Sequence, residues 1–141
     1  MNVKPIGDLQ RMPARPAAAP RGAPTVHIET YGCQMNAYDS AAIHGLLARA
    51  GFAACDDPLA ADVVLLNTCS VRDHAEHRVL SRIGELRRDR AERGAPPQVM
   101  GVLGCMAERL GPALAEGRQR VDVVVGVDGY DALPSLLAAR L

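Results

Sequence analysis

An open, all-parallel α/β sheet with helices on both faces is the fold class this 141-residue sequence predicts, on three observations. Short apolar runs alternate with helical patterns from residue 25 to the end. The central run, Val63-Val64-Leu65-Leu66 between Asp62 and Asn67, is continuously apolar, as a strand covered on both faces requires. No internal repeat or second compact unit interrupts the series, and a chain of this length buries about 70% of the surface its unfolded form exposes.

The elements follow in order. Residues 1–24 carry Pro5, Pro13, Pro16, Pro20 and Pro24 and an Ala17-Ala18-Ala19 run, with no periodic apolar face, and read as a disordered tail. The tail lacks the apolar stretch of a secretory signal. A compact domain is expected over 25–141. Val26-His27-Ile28-Glu29-Thr30 is the first strand, and Asn36 to Ala50 is a helix with Ile43, Leu46, Leu47 and Ala50 on its inner face, stopped by Gly51. Phe52-Ala53-Ala54 is a short second strand, and Asp56-Asp57-Pro58 is a turn before the central third strand.

A polar helix from about Val71 to Arg93 presents Ala75, Val79, Ile83 and Leu86 inward and ends at Gly94-Ala95-Pro96-Pro97. Val99 to Leu103 is the fourth strand. A Gly/Pro-interrupted helix spans Met106 to about Glu116, Val121 to Val125 is the fifth strand, and a helix from about Asp131 to Leu141 closes the chain. Right-handed crossovers restrict the arrangements, and the flavodoxin-like order 2-1-3-4-5 is the one expected.

Composition excludes several functions. With 48% hydrophobic and 23% charged residues the chain is neither a disordered polyelectrolyte nor a membrane protein. Zero net charge removes the strongly basic footprint of a dedicated nucleic-acid binder. The charge is nevertheless uneven: Lys4, Arg11, Arg15 and Arg21 against Asp8 leave the tail at +3 and the remainder at −3. On the long helix Arg72, Arg78, Arg82, Arg87, Arg88, Arg90 and Arg93 interleave with Asp73, Glu76, Glu85, Asp89 and Glu92, which reads as a salt-bridged solvent face first and an RNA surface second.

The chemistry lies with the cysteines. None of Cys33, Cys55, Cys69 and Cys105 forms a CxxC pair, so thioredoxin-type redox chemistry and zinc ribbons have no basis here. Cys33, Cys69 and Cys105 each fall just past the carboxyl end of a predicted strand and before a helix. In the order 2-1-3-4-5 those strands are neighbours, so three thiols converge within about 10 Å. They do so in the crevice where ligands of open α/β sheets bind. Gly32 and Gly104 let the backbone approach a bulky group. Three thiolates without a fourth partner describe a metal site with an open position, and iron-sulfur chemistry suits it. Three inert core cysteines remain the bland alternative, and a zinc site completed by His74 is the competing metal. His27, His44 and His77 are placed less favourably. Cys55, beside Asp56 and Asp57 at the sheet edge, is a bystander.

Thr30-Tyr31-Gly32-Cys33-Gln34-Met35-Asn36, Leu66-Asn67-Thr68-Cys69-Ser70-Val71-Arg72 and Gly101-Val102-Leu103-Gly104-Cys105-Met106-Ala107 resemble the three cysteine motifs of the N-terminal domain of radical-SAM methylthiotransferases. Order and spacing match over residues 25–141, and the motifs are closer to the tRNA-modifying branch than to the ribosomal-protein branch. The resemblance implies an auxiliary 4Fe-4S cluster on Cys33, Cys69 and Cys105 whose open iron carries the sulfur or methylthio group. It also implies a separate domain in which a CxxxCxxC motif binds a second 4Fe-4S cluster and cleaves S-adenosylmethionine, activating N6-dimethylallyladenosine at position 37 of a tRNA substrate.

Gln34, Asn36 and Arg72 are expected beside the cluster or the substrate, Asn36 alternatively as a helix N-cap. The sequence contains no CxxxCxxC, which is read as a fragment or a truncated gene that binds a cluster but does not methylthiolate alone. A cytoplasmic, reducing location suits free thiols. The alternatives are a ribosomal-protein methylthiotransferase domain and a zinc-binding or partner-docking module.

Overall fold

The computed structural model describes residues 22–31, 34–68, 73–116 and 121–141. The expected tail therefore lies outside the described residues apart from 22–24. Strands β1 (Thr25–Thr30), β2 (Ala53–Ala54), β3 (Val63–Thr68), β4 (Val99–Gly104) and β5 (Val123–Val125) form one parallel sheet in the order 2-1-3-4-5. Helices α1 (Gln34–Arg49), α2 (Asp73–Glu92), α3 (Cys105–Leu110), α4 (Pro112–Glu116) and α5 (Leu133–Arg140) connect them, with a 3-10 helix (Val127–Ala132) leading into α5.

All six residues of β3 are buried, and their alternation divides the core. Val64 and Leu66 face the layer of α2, α3 and α4, where they meet Val79, Ile83, Leu86, Met106 and Leu114. Val63 and Leu65 face the layer of α1 and α5, where they meet Ile43, Leu47, Leu133 and Leu137. Gly101 makes room for this second layer, because a β-carbon there would stand 2.7 Å from Leu65 Cδ2.

Several boundaries differ from the sequence reading. Helix α1 starts at Gln34 rather than Asn36, and Ala50 lies beyond its end and is exposed, so the inner face ends with Leu47. The Gly/Pro-interrupted helix expected from Met106 starts at Cys105, and its interruption falls at Gly111, whose φ of 37° and following Pro112 stop one helix and start the next. The final helix starts at Leu133 rather than Asp131, the preceding turn being 3-10. Arg90 is not on the solvent face of α2. It is 9% exposed, and its guanidinium donates to the carbonyls of Pro96, Leu59 and Ala61 at 2.8, 2.8 and 2.9 Å, at the amino ends of β3 and β4. Carbonyls left over by the loop before β3 supply acceptors that a charge pattern along a helix does not reveal.

Candidate functional site

The three strands that precede the cysteine motifs end side by side. Thr30 is in register with Asn67 across β1 and β3, and Thr68 with Gly104 across β3 and β4. Tyr31 N–H extends the first ladder by one bond to the Asn67 carbonyl, 2.8 Å. Cys33, Cys69 and Arg72 themselves lie outside the described residues. Gln34 and Asn36 are placed by backbone alone, in the first turn of α1, so Asn36 is already helical and does not occupy the N-cap position.

Cys105 is described. It is the first residue of α3, directly after β4, and its thiol is free and exposed at the carboxyl edge. Gly104 sets its position with φ 95° and ψ −153°, a conformation essentially reserved for glycine. Met106, the next residue, is fully buried and pins the start of α3 to the sheet. Its N–H donates to Thr68 Oγ1 at 3.3 Å, while the Thr68 hydroxyl donates to the Leu103 carbonyl at 2.7 Å.

Polar side chains floor this edge. Asn67 and Thr68 are both 0% exposed; Asn67 Nδ2 donates to Ser40 Oγ at 2.9 Å, and Ser40 Oγ pairs with Thr30 Oγ1 at 2.7 Å. These bonds tie α1 to the ends of β1 and β3. Burying an asparagine requires such partners. The sequence reading quoted Asn67 and Thr68 within a motif but gave them no task, and it missed Ser40; the available signal was two polar residues closing a run of four buried aliphatics.

The β5 side of the edge holds two further residues that sequence reasoning missed. Glu108, on α3, accepts the Val127 N–H at 3.3 Å and lies so close to Gly126 that a β-carbon there would stand 2.5 Å from Glu108 Cγ. The 3-10 helix docked in this way carries Tyr130. Burial raises its phenol to about 12, with Asp39, Cys105 and Glu108 near enough to add to the shift.

On the α2 side of β1, Glu29 gathers a charged network. Arg82 holds it with two nitrogens, Nε at 2.9 Å and Nη2 at 2.8 Å; Tyr31 Oη donates at 2.7 Å and His27 Nε2 lies 3.5 Å away. Burial works against the Glu29 charge, but the bonds from His27, Arg82 and Tyr31 outweigh it and hold its pKa well below the carboxylate range. The contact with Glu29 raises His27 against the opposing effect of burial. His27 Nδ1 is engaged with the Cys55 carbonyl at 2.8 Å, while the Cys55 thiol donates to the Asp57 carbonyl at 3.3 Å. Among the described residues no three His, Cys, Asp or Glu side chains are grouped to hold a metal.

These residues define an α/β domain with a flavodoxin-like parallel sheet and a free, exposed cysteine at its carboxyl edge. The chain belongs to the Uncharacterized protein family UPF0004, whose sequence profile matches residues 25–126. A relative from Chloroherpeton thalassium, named tRNA-2-methylthio-N(6)-dimethylallyladenosine synthase, is 45% identical over 112 residues, covering 79% of this chain and 24% of that protein. Proteins of the same name from Xanthomonas axonopodis pv. citri and Syntrophobacter fumaroxidans are 42% identical over 128 residues and 45% over 124, covering 90% and 88% of this chain and 26% of each relative. The chain thus spans about a quarter of the length of the curated relatives it matches. No helix among the described residues is long and apolar enough to cross a membrane.

Proposed function

We propose that residues 25–141 are the auxiliary-cluster domain of a tRNA methylthiotransferase acting on N6-dimethylallyladenosine. One observation carries the reading: the strands before Cys33, Cys69 and Cys105 are hydrogen-bonded neighbours whose ends are in register, and Cys105, the described one of the three, is exposed at that edge. In sequence, Cys69 directly follows Thr68 and Cys33 is three positions past Thr30.

The donor set fits a 4Fe-4S cluster. A free thiol stands at the strand ends, and Gly104 without a β-carbon lets the backbone turn sharply beneath it. Such a cluster, held by Cys33, Cys69 and Cys105, would supply an open iron able to carry sulfur. The chain's own residues do the rest: Gly104 and buried Met106 fix Cys105, the bonds from Ser40 to Asn67 and to Thr30 fix the other two strand ends, and Gln34, Asn36 and Arg72 contact the cluster or the tRNA. S-adenosylmethionine and a second cluster belong to a radical-SAM domain, since these 141 residues contain no CxxxCxxC. The relatives' name favours tRNA over a ribosomal protein as substrate. Free thiols of this kind belong in the reducing cytoplasm.

Anaerobic reconstitution with iron and sulfide tests the reading, with iron and sulfide counted. A brown protein holding four irons that loses them in Cys33→Ala, Cys69→Ala and Cys105→Ala, but not in Cys55→Ala, is the expected result. A colourless protein that takes up zinc, or binds nothing, overturns it.

A further inference from the structure

At the end of the sheet opposite Cys105, the last turns of α2 and the residues that open β4 and β5 enclose a cavity of about 530 Å3. Gln98, directly before β4, and Asp122, directly before β5, both line it. The volume falls in the range of about 300–1,000 Å3 usual for small-molecule sites.

Arg90 gives this cavity its chemistry. The residue lines it and is only 9% exposed. Its Nε and Nη1 donate to the carbonyls of Pro96, Leu59 and Ala61. Nη2 bonds nothing among the described residues, yet it is not wholly enclosed, so its two N–H groups remain for something in the cavity. Carbonyls satisfy donors but carry no net charge, and no carboxylate among the described residues pairs with Arg90. A cation buried this far is ordinarily matched by an opposite charge. Arg87, one turn earlier on α2, adds a second guanidinium to the lining, and Asp122 adds a carboxylate that accepts the Met100 N–H at 2.9 Å. The lining thus carries two positive charges against one negative. The carboxyl end of a helix repels anions, so any attraction for an anion here comes from Arg87 and Arg90. Gln98 donates to the Pro58 and Ala61 carbonyls, fixing the same loop that Arg90 holds, and the floor of the cavity is therefore tied at several points.

We propose that this cavity binds a small molecule bearing an oxyanion, a carboxylate or a phosphate, which accepts hydrogen bonds from Arg90 Nη2 and from Arg87 while its less polar part lies against Ala95 and Pro97. Asp122 opposes the anion and favours ligands that also carry a hydrogen-bond donor. The site is separate from the cysteine edge and does not depend on the cluster reading.

The test titrates the 15N-labelled 141-residue chain with sodium phosphate and, separately, sodium acetate, at constant ionic strength set by sodium chloride, and follows the backbone amides and the Arg90 Nε–H by NMR. One or both oxyanions are expected to shift Arg90 Nε–H and the amides of 87–98 and 122 along saturable curves, with the amides around Cys105 unmoved; which of the two saturates names the headgroup. Arg87→Gln is expected to weaken binding and Asp122→Asn, which keeps the acceptor for Met100 N–H, to tighten it, each by about three- to tenfold for one charge at close range. Both variants leave the Arg90 bonds in place, and unfolding midpoints measured alongside show that they remain folded. Shifts that do not saturate, that chloride alone reproduces, or whose affinity is the same in wild type and both variants overturn the proposal. Iron content after reconstitution reads the cysteine edge independently.

Discussion

The backbone of Gly104 is pressed against the carbonyl oxygen of Thr68, with no space between them for a β-carbon. This contact closes the carboxyl ends of β3 and β4 and aims Cys105 outward. Gly104→Ala has to relieve both the contact and a glycine-only φ of 95°, so a loss of at least about 2 kcal/mol is expected. Denaturant unfolding reads the stability, and iron counted after reconstitution is expected to fall with it. A variant as stable as wild type that holds its full iron would mean the edge can re-form without this turn.

Thr68 acts on the same turn through its hydroxyl, which bonds the Leu103 carbonyl and the Met106 N–H. Valine has the same shape and neither bond. Thr68→Val is expected to cost about 1–3 kcal/mol, because it leaves buried groups unpaired, whereas Thr68→Ser keeps the hydroxyl and costs less. Equal unfolding midpoints for the two variants would show that the methyl group, not the hydroxyl, matters there.

How much of this was legible in the sequence depends on the kind of signal. Strand order and the buried β3 followed from one run of aliphatic residues and from the alternation of elements, which depend on periodicity alone. The place of Cys105 between the end of β4 and a helix followed from the strand pattern before it. Ser40, Glu108 and Tyr130 were not legible, because each acts across elements far apart in sequence: Ser40 is 27 residues from Asn67 and Glu108 is 19 from Val127. Arg90 was misread for the same reason, since its acceptors come from loops. The division of the helix at Gly111 was legible in Gly111-Pro112, and only its start, at Cys105 rather than Met106, differs.

The Glu29 network makes stability depend on pH. The Glu29 pKa is depressed, so its contribution is present above the ordinary value of 4.5 and is lost as pH falls toward the folded-state value. The His27 pKa is raised, so its contribution is present below 6.5 and is lost as pH rises through its folded-state value. The two overlap between about 4.5 and 6.5. Glu29→Gln, which removes the charge shared by Arg82 and His27, is expected to cost about 1–3 kcal/mol in that window. The difference from wild type should shrink on both sides of it. Urea unfolding across the pH range measures it, and a difference independent of pH would count against the network.

Arg90 is predicted to serve the fold and not the cysteine edge. Its guanidinium spans three carbonyls at the amino ends of β3 and β4, the opposite end of the sheet from Cys105. A lysine ammonium is a single point and cannot reach Pro96, Leu59 and Ala61 together. Arg90→Lys is therefore expected to lose most of what Arg90→Met loses, roughly 2–4 kcal/mol for several bonds to a buried charge. Below the unfolding transition both variants should bind as much iron as wild type, because no described contact links Arg90 to the carboxyl edge. Full stability in Arg90→Lys would mean that charge alone, without the fork of donors, holds the loop before β3 to α2.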